Sequence, residues 1–186
     1  MPVVCLEEPS KGATAVRIDP ATAKAEACSA GVMPDDEDGH PPVRLGTLAD
    51  IDDLVSIEHR AFSCNRITRR GFSRFVLSPR TVLMVQEQPS RCVGYVLLLF
   101  HPAGRIARIY SLAVDPLVRG AGVGCRLLSA AVRAAQVRQA AILRLEVSDG
   151  NAAAQRLYLK SGFEVFGRHQ SYYSDGSNAL RMQKSV

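Results

Sequence analysis

The chain has 186 residues, 47% hydrophobic and 22% charged, which is ordinary for a soluble globular protein with a sizeable core. No apolar run approaches the roughly 18 residues that span a bilayer. The net charge of +5, from 23 basic and 18 acidic side chains, suits a nucleic acid or a small polyanion such as a phosphate-bearing coenzyme, and does not choose between them.

Residues 1–42 read as an extension rather than a domain. Met1 to Leu6, followed by Glu7 and Glu8, is too short and too acidic for a signal peptide, so the expected location is the cytoplasm. The segment carries the acidic run Asp35 to Asp38, ends in Pro41-Pro42, and has no sustained apolar period, which predicts disorder apart from a short helix near Ala21–Ala27. The five cysteines, Cys5, Cys28, Cys64, Cys92 and Cys125, are odd in number and form no C-x-x-C pair. That spacing argues against a disulfide framework and against a metal site.

From Val43 to residue 186 the pattern is that of one folded domain. Val43 to Leu45 predicts a short strand, and Thr47 an N-cap for a helix to about Arg60 with a stripe of Leu48, Ile51, Leu54, Val55 and Ile57. Thr68 caps a second helix to about Leu77. Thr81–Gln86 and Cys92–Phe100 read as a hairpin, and Arg105–Val114 as the next strand after a turn at His101 to Gly104. An Ala/Leu-rich helix is predicted over Val123–Arg138, a strand over Ile142–Val147, and a helix over Asn151–Ser161 with Gly162 at C′. Two last strands, Phe163–Arg168 and Ala179–Gln183, flank a polar loop. The fold class this implies is α/β: a central, mixed, mostly antiparallel sheet with helices on both faces.

The strongest motif is Arg119-Gly120-Ala121-Gly122-Val123-Gly124. It lies between a strand and a helix, where bare backbone N–H groups form a cradle for pyrophosphate. A dinucleotide fingerprint is the nearest rival, with Glu146 about 20 residues on. Against it, Asp115 to Val118 separate the loop from its strand, and Leu127 holds the third glycine's place. No G-K-[ST] follows for a P-loop.

The run from Ile109 to Gly124, with Leu112-Ala113-Val114-Asp115-Pro116 ahead of the R-x-x-G-x-G core, resembles motif A of the GNAT superfamily of N-acetyltransferases. Leu145-Glu146-Val147, Asn151 to Ala154, Leu157-Tyr158, Gly162-Phe163, and Tyr172-Tyr173 with Asp175-Gly176 and Ala179-Leu180 resemble the RimI-like ribosomal-protein N-terminal acetyltransferases. The resemblance is dense from about 105 to 183, weaker from 43 to 104, and does not reach residues 1–42. It implies acetyl-CoA as co-substrate, bound where the strands carrying Val114 and Val147 splay apart. Phosphates would meet Arg119, Gly120, Ala121, Gly122, Val123, Gly124 and Cys125, and the pantetheine arm would meet the backbone of Leu112, Ala113 and Val114. Cys125 stands where relatives often carry Arg or Lys.

The same resemblance implies Asn151 as a coenzyme contact, Tyr158 as general acid to the departing thiolate, and Glu146 as general base, with water-mediated deprotonation as its alternative. Asn151 and Tyr158 are seven apart, which two helical turns bring to one face. Glu146 alternates with Leu145 and Val147, so it points to the other face of its strand. An acyl-cysteine route through Cys125 is disfavoured, because coenzyme phosphates would oppose its thiolate. In similar enzymes the first helices and final hairpin line the acceptor groove. Arg66, Arg69, Arg70 and Arg74 are either an attractor for an acidic acceptor or a solvated helix face, and Tyr172 and Tyr173 either flank the acceptor or pack across strands.

The expected acceptor is a protein or peptide N-terminus, a ribosomal protein among them. A small amine, a lysine side chain and a non-catalytic acyl-CoA-binding module are the alternatives. A nucleic-acid-binding domain is not supported, since no aromatic-interleaved basic stretch, zinc spacing or helix-turn-helix pattern occurs.

Overall fold

The computed structural model describes residues 43–62, 65–89, 91–101 and 104–186. The expected N-terminal extension over residues 1–42 lies outside the described residues, as do Cys5, Cys28, Cys64 and the middle of the turn after His101.

Seven strands form one sheet: β1 (Val43–Leu45), β2 (Thr81–Gln88), β3 (Arg91–Phe100), β4 (Ile106–Val114), β5 (Ile142–Ser148), β6 (Glu164–His169) and β7 (Ala179–Ser185). Their order is β1-β2-β3-β4-β5-β7-β6. All neighbours run antiparallel except β4 and β5, which are parallel and joined by a helical crossover. The helices are α1 (Ile51–Ala61), α2 (Arg69–Leu77), α3 (Val123–Val137) and α4 (Ala152–Lys160).

Strand alternation sorts the core into two layers. Val96 and Leu98 face a cluster with Leu127, Leu128, Ala131 and Ala135 of α3 and with Ala154 and Tyr158 of α4. Tyr95 and Leu97 face the other way, against Ile51, Leu54 and Ile57 of α1 and Phe72 of α2. Helices thus cover both faces of a mixed, mostly antiparallel sheet, as the pattern predicts. Leu127 and Leu54 are fully enclosed, so truncating either to alanine costs about 2–5 kcal/mol through lost transfer energy and the cavity left behind.

Local capping sets the boundaries. Thr68 accepts from the Gly71 N–H at 3.2 Å and starts α2. At the end of α4, Phe163 N–H reaches the Tyr158 carbonyl and Gly162 N–H the Leu159 carbonyl, a double closure that stops the helix.

The first helix corrects the sequence reading. Thr47 caps a 3-10 turn, Leu48–Asp50, and the α-helix begins only at Ile51. Asp50 bends back to accept from the Thr47 N–H and hydroxyl at 2.6 and 2.9 Å. The tighter turn rotates Leu48 off the apolar stripe, and that side chain is 51% exposed.

Candidate active site

The parallel pair β4–β5 is short. Ile106, Ala107 and Arg108 pair with Ile142, Leu143 and Arg144, and the ladder stops there. β4 continues beside β3 as far as Val114↔Gly94, while β5 continues beside β7 as far as Ser148↔Ala179. The two strands therefore part beyond Arg108 and Arg144, opening a gap toward Val114 and Val147. A bulge adds to the divergence: Leu97 pairs with Ser111 and Leu98 with Ile109, leaving Tyr110 as the extra residue on β4. Leu112 and Ala113 bury their side chains in opposite layers of the core. Only their backbone is left to meet anything in the gap.

At the mouth of the gap the chain turns into the glycine loop. Asp115 is fully buried. One carboxylate oxygen accepts from the Leu117 N–H at 3.0 Å, and the other lies 2.9 Å from Arg60 Nη2, which ties the loop to α1. Gly120 and Gly122 sit at φ +88° and +74°, a region that strains any residue with a Cβ. An added Cβ at Gly120 would meet nothing within 4 Å, so glycine serves backbone conformation there rather than space.

Gly122 is the N-cap of α3 and provides no side-chain hydrogen bond, and the first turn contains no acidic residue. The leading amides of a 15-residue helix thus stand without side-chain caps at the positive end of its dipole. Around them Arg119, Ala121 and Cys125 are exposed, whereas the Val123 side chain is buried in the core. The loop fits a pyrophosphate: Ala121 N–H is engaged by the Val118 carbonyl at 3.4 Å, the amides leading α3 remain as donors, and two cations stand at the edge, Arg119 and Arg126, the latter 3.1 Å from where a Cβ at Gly122 would sit.

The two candidate proton-transfer residues stand on opposite faces of the sheet. Leu145 and Val147 face the α3/α4 layer, so Glu146 faces the α1/α2 side. Glu146 is nearly buried and bound by Arg108, whose Nε and Nη2 reach its carboxylate at 2.9 and 2.8 Å. Arg108 Nη2 also donates to the Tyr172 hydroxyl at 2.9 Å. Burial opposes the Arg108 charge, but the charge of Glu146 and the contact with Tyr172 outweigh it and raise the guanidinium pKa.

Tyr158 is fully enclosed in the α3/α4 layer, its ring edge-on to Phe163. Burial pushes its hydroxyl pKa above the usual range, so the group holds its proton. Asn151 is buried immediately before α4 and caps it, accepting from Ala154 N–H at 3.1 Å.

Sequence reasoning missed Arg108. It lies 38 residues from Glu146 and 64 from Tyr172, in a strand whose alternation marks it only as outward-facing. Tyr172 and Tyr173 belong to the β6–β7 connection rather than to a strand. The rings of His169 and Tyr172 stack at 5.3 Å, and Tyr172 meets Tyr173 edge-on at 5.1 Å.

Arg66, Arg69, Arg70 and Arg74 are exposed. Arg66 donates to the Phe62 carbonyl and Arg69 pairs with Asp52. Among the described residues one group, Asp50, Glu87 and Cys92, brings ligand atoms within 4.8 Å of one another. The Arg44 guanidinium already binds both of its carboxylates.

Residues 51–163 match the acetyltransferase (GNAT) family. A Bacillus subtilis (strain 168) protein, provisionally named a ribosomal protein bS18 alanine N-acetyltransferase, is 31% identical over 147 residues, 77% of this chain and 95% of its own. The N-alpha-acetyltransferase RimI of Mycobacterium tuberculosis (strain H37Rv) is 28% identical over 154 residues, 77% of this chain and 92% of its own. The crystal structure of the ribosomal-protein-S18-alanine N-acetyltransferase from Escherichia coli superposes with a TM-score of 0.70 at 25% identity, covering 77% of this chain and 92% of that one. A match over more than half of the residues, on a sheet that opens between β4 and β5 beside a glycine loop, is decisive: the chain belongs to the GNAT family of acetyltransferases.

Proposed function

We propose that the protein transfers an acetyl group from acetyl-CoA to the α-amine of a protein or peptide N-terminus, by direct attack in a ternary complex. The observation that carries this reading is the β4–β5 gap, which begins at Arg108 and Arg144 and has Glu146 on one face and Tyr158 on the other. A thioester laid through the gap meets acceptor chemistry on one side and leaving-group chemistry on the other. The pyrophosphate rests on the amides leading α3 with Arg119 beside them, Asn151 contacts the coenzyme from the start of α4, and the pantetheine arm runs along the backbone of Leu112, Ala113 and Val114.

Each step balances. An ammonium group gives a proton to Glu146, directly or through one water, and the amine lone pair then attacks the acetyl carbonyl carbon. Backbone N–H groups of the open edge of β4 stabilise the oxyanion. Collapse breaks the C–S bond and the electron pair leaves on sulfur; Tyr158 supplies the proton that makes the free CoA thiol, and the second proton shed by the acylated nitrogen passes through water to restore the Tyr158 hydroxyl. Arg108 holds the Glu146 carboxylate in place. The N-terminal acceptor is supported by the relatives named for alanine N-acetylation.

The test is CoA-thiol release with peptides of varied free N-termini, N-terminally blocked lysine peptides and polyamines. Turnover confined to free N-termini supports the reading. Turnover with small amines or lysine alone moves the acceptor, and acetyl-CoA binding without any turnover makes the protein a coenzyme-binding module.

A further inference from the structure

On the face of the sheet that carries Glu146, α1 and α2 pack over β2, β3 and β4. The neighbouring sector, made by β5, β7 and β6, carries Arg144, Arg181 and Phe166. Register fixes their positions: Glu146 pairs directly with Arg181, Arg144 with Gln183, and Phe166 is the extra residue of a bulge between Val165 and Gly167. Both guanidinium groups lie over the Phe166 ring, with their central carbons 4.8 Å (Arg144) and 4.5 Å (Arg181) from its centroid.

Neither arginine forms an ion pair among the described residues. Arg144 donates only to the neutral Gln183 amide oxygen, at 3.3 Å from both Nε and Nη2. Arg181 Nε is buried without a hydrogen-bond partner. Glu146, the carboxylate opposite Arg181, is already bound by Arg108.

Two cations preorganised on one aromatic ring, with no carboxylate of their own, are poised for an external one. Planar guanidinium donors match a carboxylate in two-point contact, and the ring holds them without consuming those donors. Packing alone would be served by an apolar side chain, which leaves no buried N–H unpaired.

Neighbouring strands lie about 4.8 Å apart, and same-face residues on one strand about 7 Å apart. Arg181 and Arg144 therefore stand roughly that far from Glu146, while an extended peptide advances about 3.3 Å per residue. We propose that Arg181 and Arg144, stacked on Phe166, form a carboxylate-recognition wall that selects acceptors bearing an acidic group about 5–7 Å from the reacting amine, as at position two or three of a peptide. The proposal rests on Glu146 meeting the acceptor amine, as in the reading above. The carboxylate comes from an acidic side chain of a peptide or from a free acidic amino acid, and the experiment separates the two.

The experiment measures acetyl transfer at saturating acetyl-CoA to peptides that begin with alanine and differ only in Glu, Gln or Lys at positions two and three. Free glutamate and spermidine run alongside. The expected kcat/KM for the Glu peptide exceeds that for Gln by about tenfold, chiefly through KM, and the ratio falls as salt rises. Arg181→Gln and Arg144→Gln each pull the Glu/Gln ratio toward one, and Arg181→Lys restores part of it.

A wild-type enzyme indifferent to Glu against Gln overturns the wall, whatever the variants do. So does an Arg181→Gln enzyme that slows on both peptides in proportion, which is the signature of packing against Phe166. Free glutamate preferred over every peptide, with Arg181→Gln abolishing the preference, supports the wall and assigns the amino acid as its source. Transfer to spermidine with no peptide or glutamate acetylated overturns the N-terminal acceptor and the wall together, whereas indifference among acetylated peptides overturns the wall alone.

Discussion

Tyr158 is a residue whose chemistry and packing can be separated. Burial alone raises its hydroxyl pKa, with no hydrogen bond among the causes, and its ring contributes to the core beside Phe163. Tyr158→Phe therefore keeps the ring packing and removes only the hydroxyl. We expect kcat for acetyl transfer to fall by about tenfold or more while Tm and acetyl-CoA affinity hold; an unchanged kcat would remove Tyr158 from the acid role. Glu146 is a different case, because its carboxylate is bound to Arg108 at 2.8 Å and nearly buried. Arg108→Met strands that charge, and loss of one partner of a buried pair costs about 3–5 kcal/mol, less here because Arg108 keeps a third of its side chain in solvent. Glu146→Gln in the same chain relieves it, so urea unfolding of the double variant should show less destabilisation than the sum of the single ones. Additive losses would mean that the pair does not couple. The two residues also mark the limit of sequence reading: Tyr158 stands within a local pattern with Asn151, Gly162 and Phe163, whereas Arg108 meets Glu146 only because β4 and β5 are neighbours.

The same division runs through the elements. The glycine loop, the Thr68 cap and the Schellman-type end of α4 are written in a few consecutive residues, and the sequence places them within a residue or two of where they occur. The start of α1 is not: Asp50 answers at once to Thr47 and to Arg44 on β1, an arginine that Glu87 of β2, 43 residues away, also holds, and the first turn takes 3-10 geometry. The β4 bulge at Tyr110 and the Phe166 bulge are equally silent in sequence, since each depends on the register of a neighbouring strand. The loop offers an element-scale prediction. At φ +74°, Gly122→Ala places a Cβ in the left-handed region at a cost of about 1–2 kcal/mol, and that Cβ lies 3.1 Å from the flexible tip of Arg126. The strain falls on the amides proposed to hold the pyrophosphate, so KM for acetyl-CoA should rise about fivefold or more while kcat at saturation changes little. A kcat loss at unchanged KM would place the loop's contribution in the chemical step instead.

At the scale of the whole molecule one buried carboxyl ties the α1/α2 layer to β3 and β4. Glu58 on α1 is enclosed; it accepts from Ile67 N–H at 3.0 Å ahead of α2 and binds the Tyr95 hydroxyl on β3, which lies 2.9 Å from Ser111 Oγ on β4. Burial raises its pKa from 4.5 to about 7, more than the Tyr95 and Ile67 hydrogen bonds and the Arg66 charge lower it. The folded chain thus binds this proton more tightly than the unfolded chain does. Stability from that proton is fully present below the unfolded pKa of 4.5 and is lost as pH rises through about 7. The loss amounts to roughly 3 kcal/mol, or on the order of 10 °C in Tm for a domain of this size. Asp50, held ionised by Arg44 despite its burial, titrates below its ordinary value and so works in the opposite sense at more acid pH, outside this window. Glu58→Gln keeps an oxygen for Ile67 N–H but cannot ionise. Its Tm should gain on wild type between pH 5 and pH 8 by that several-degree margin, and a gap between the two proteins that stays constant across the range would show that Glu58 ionises without cost to the fold.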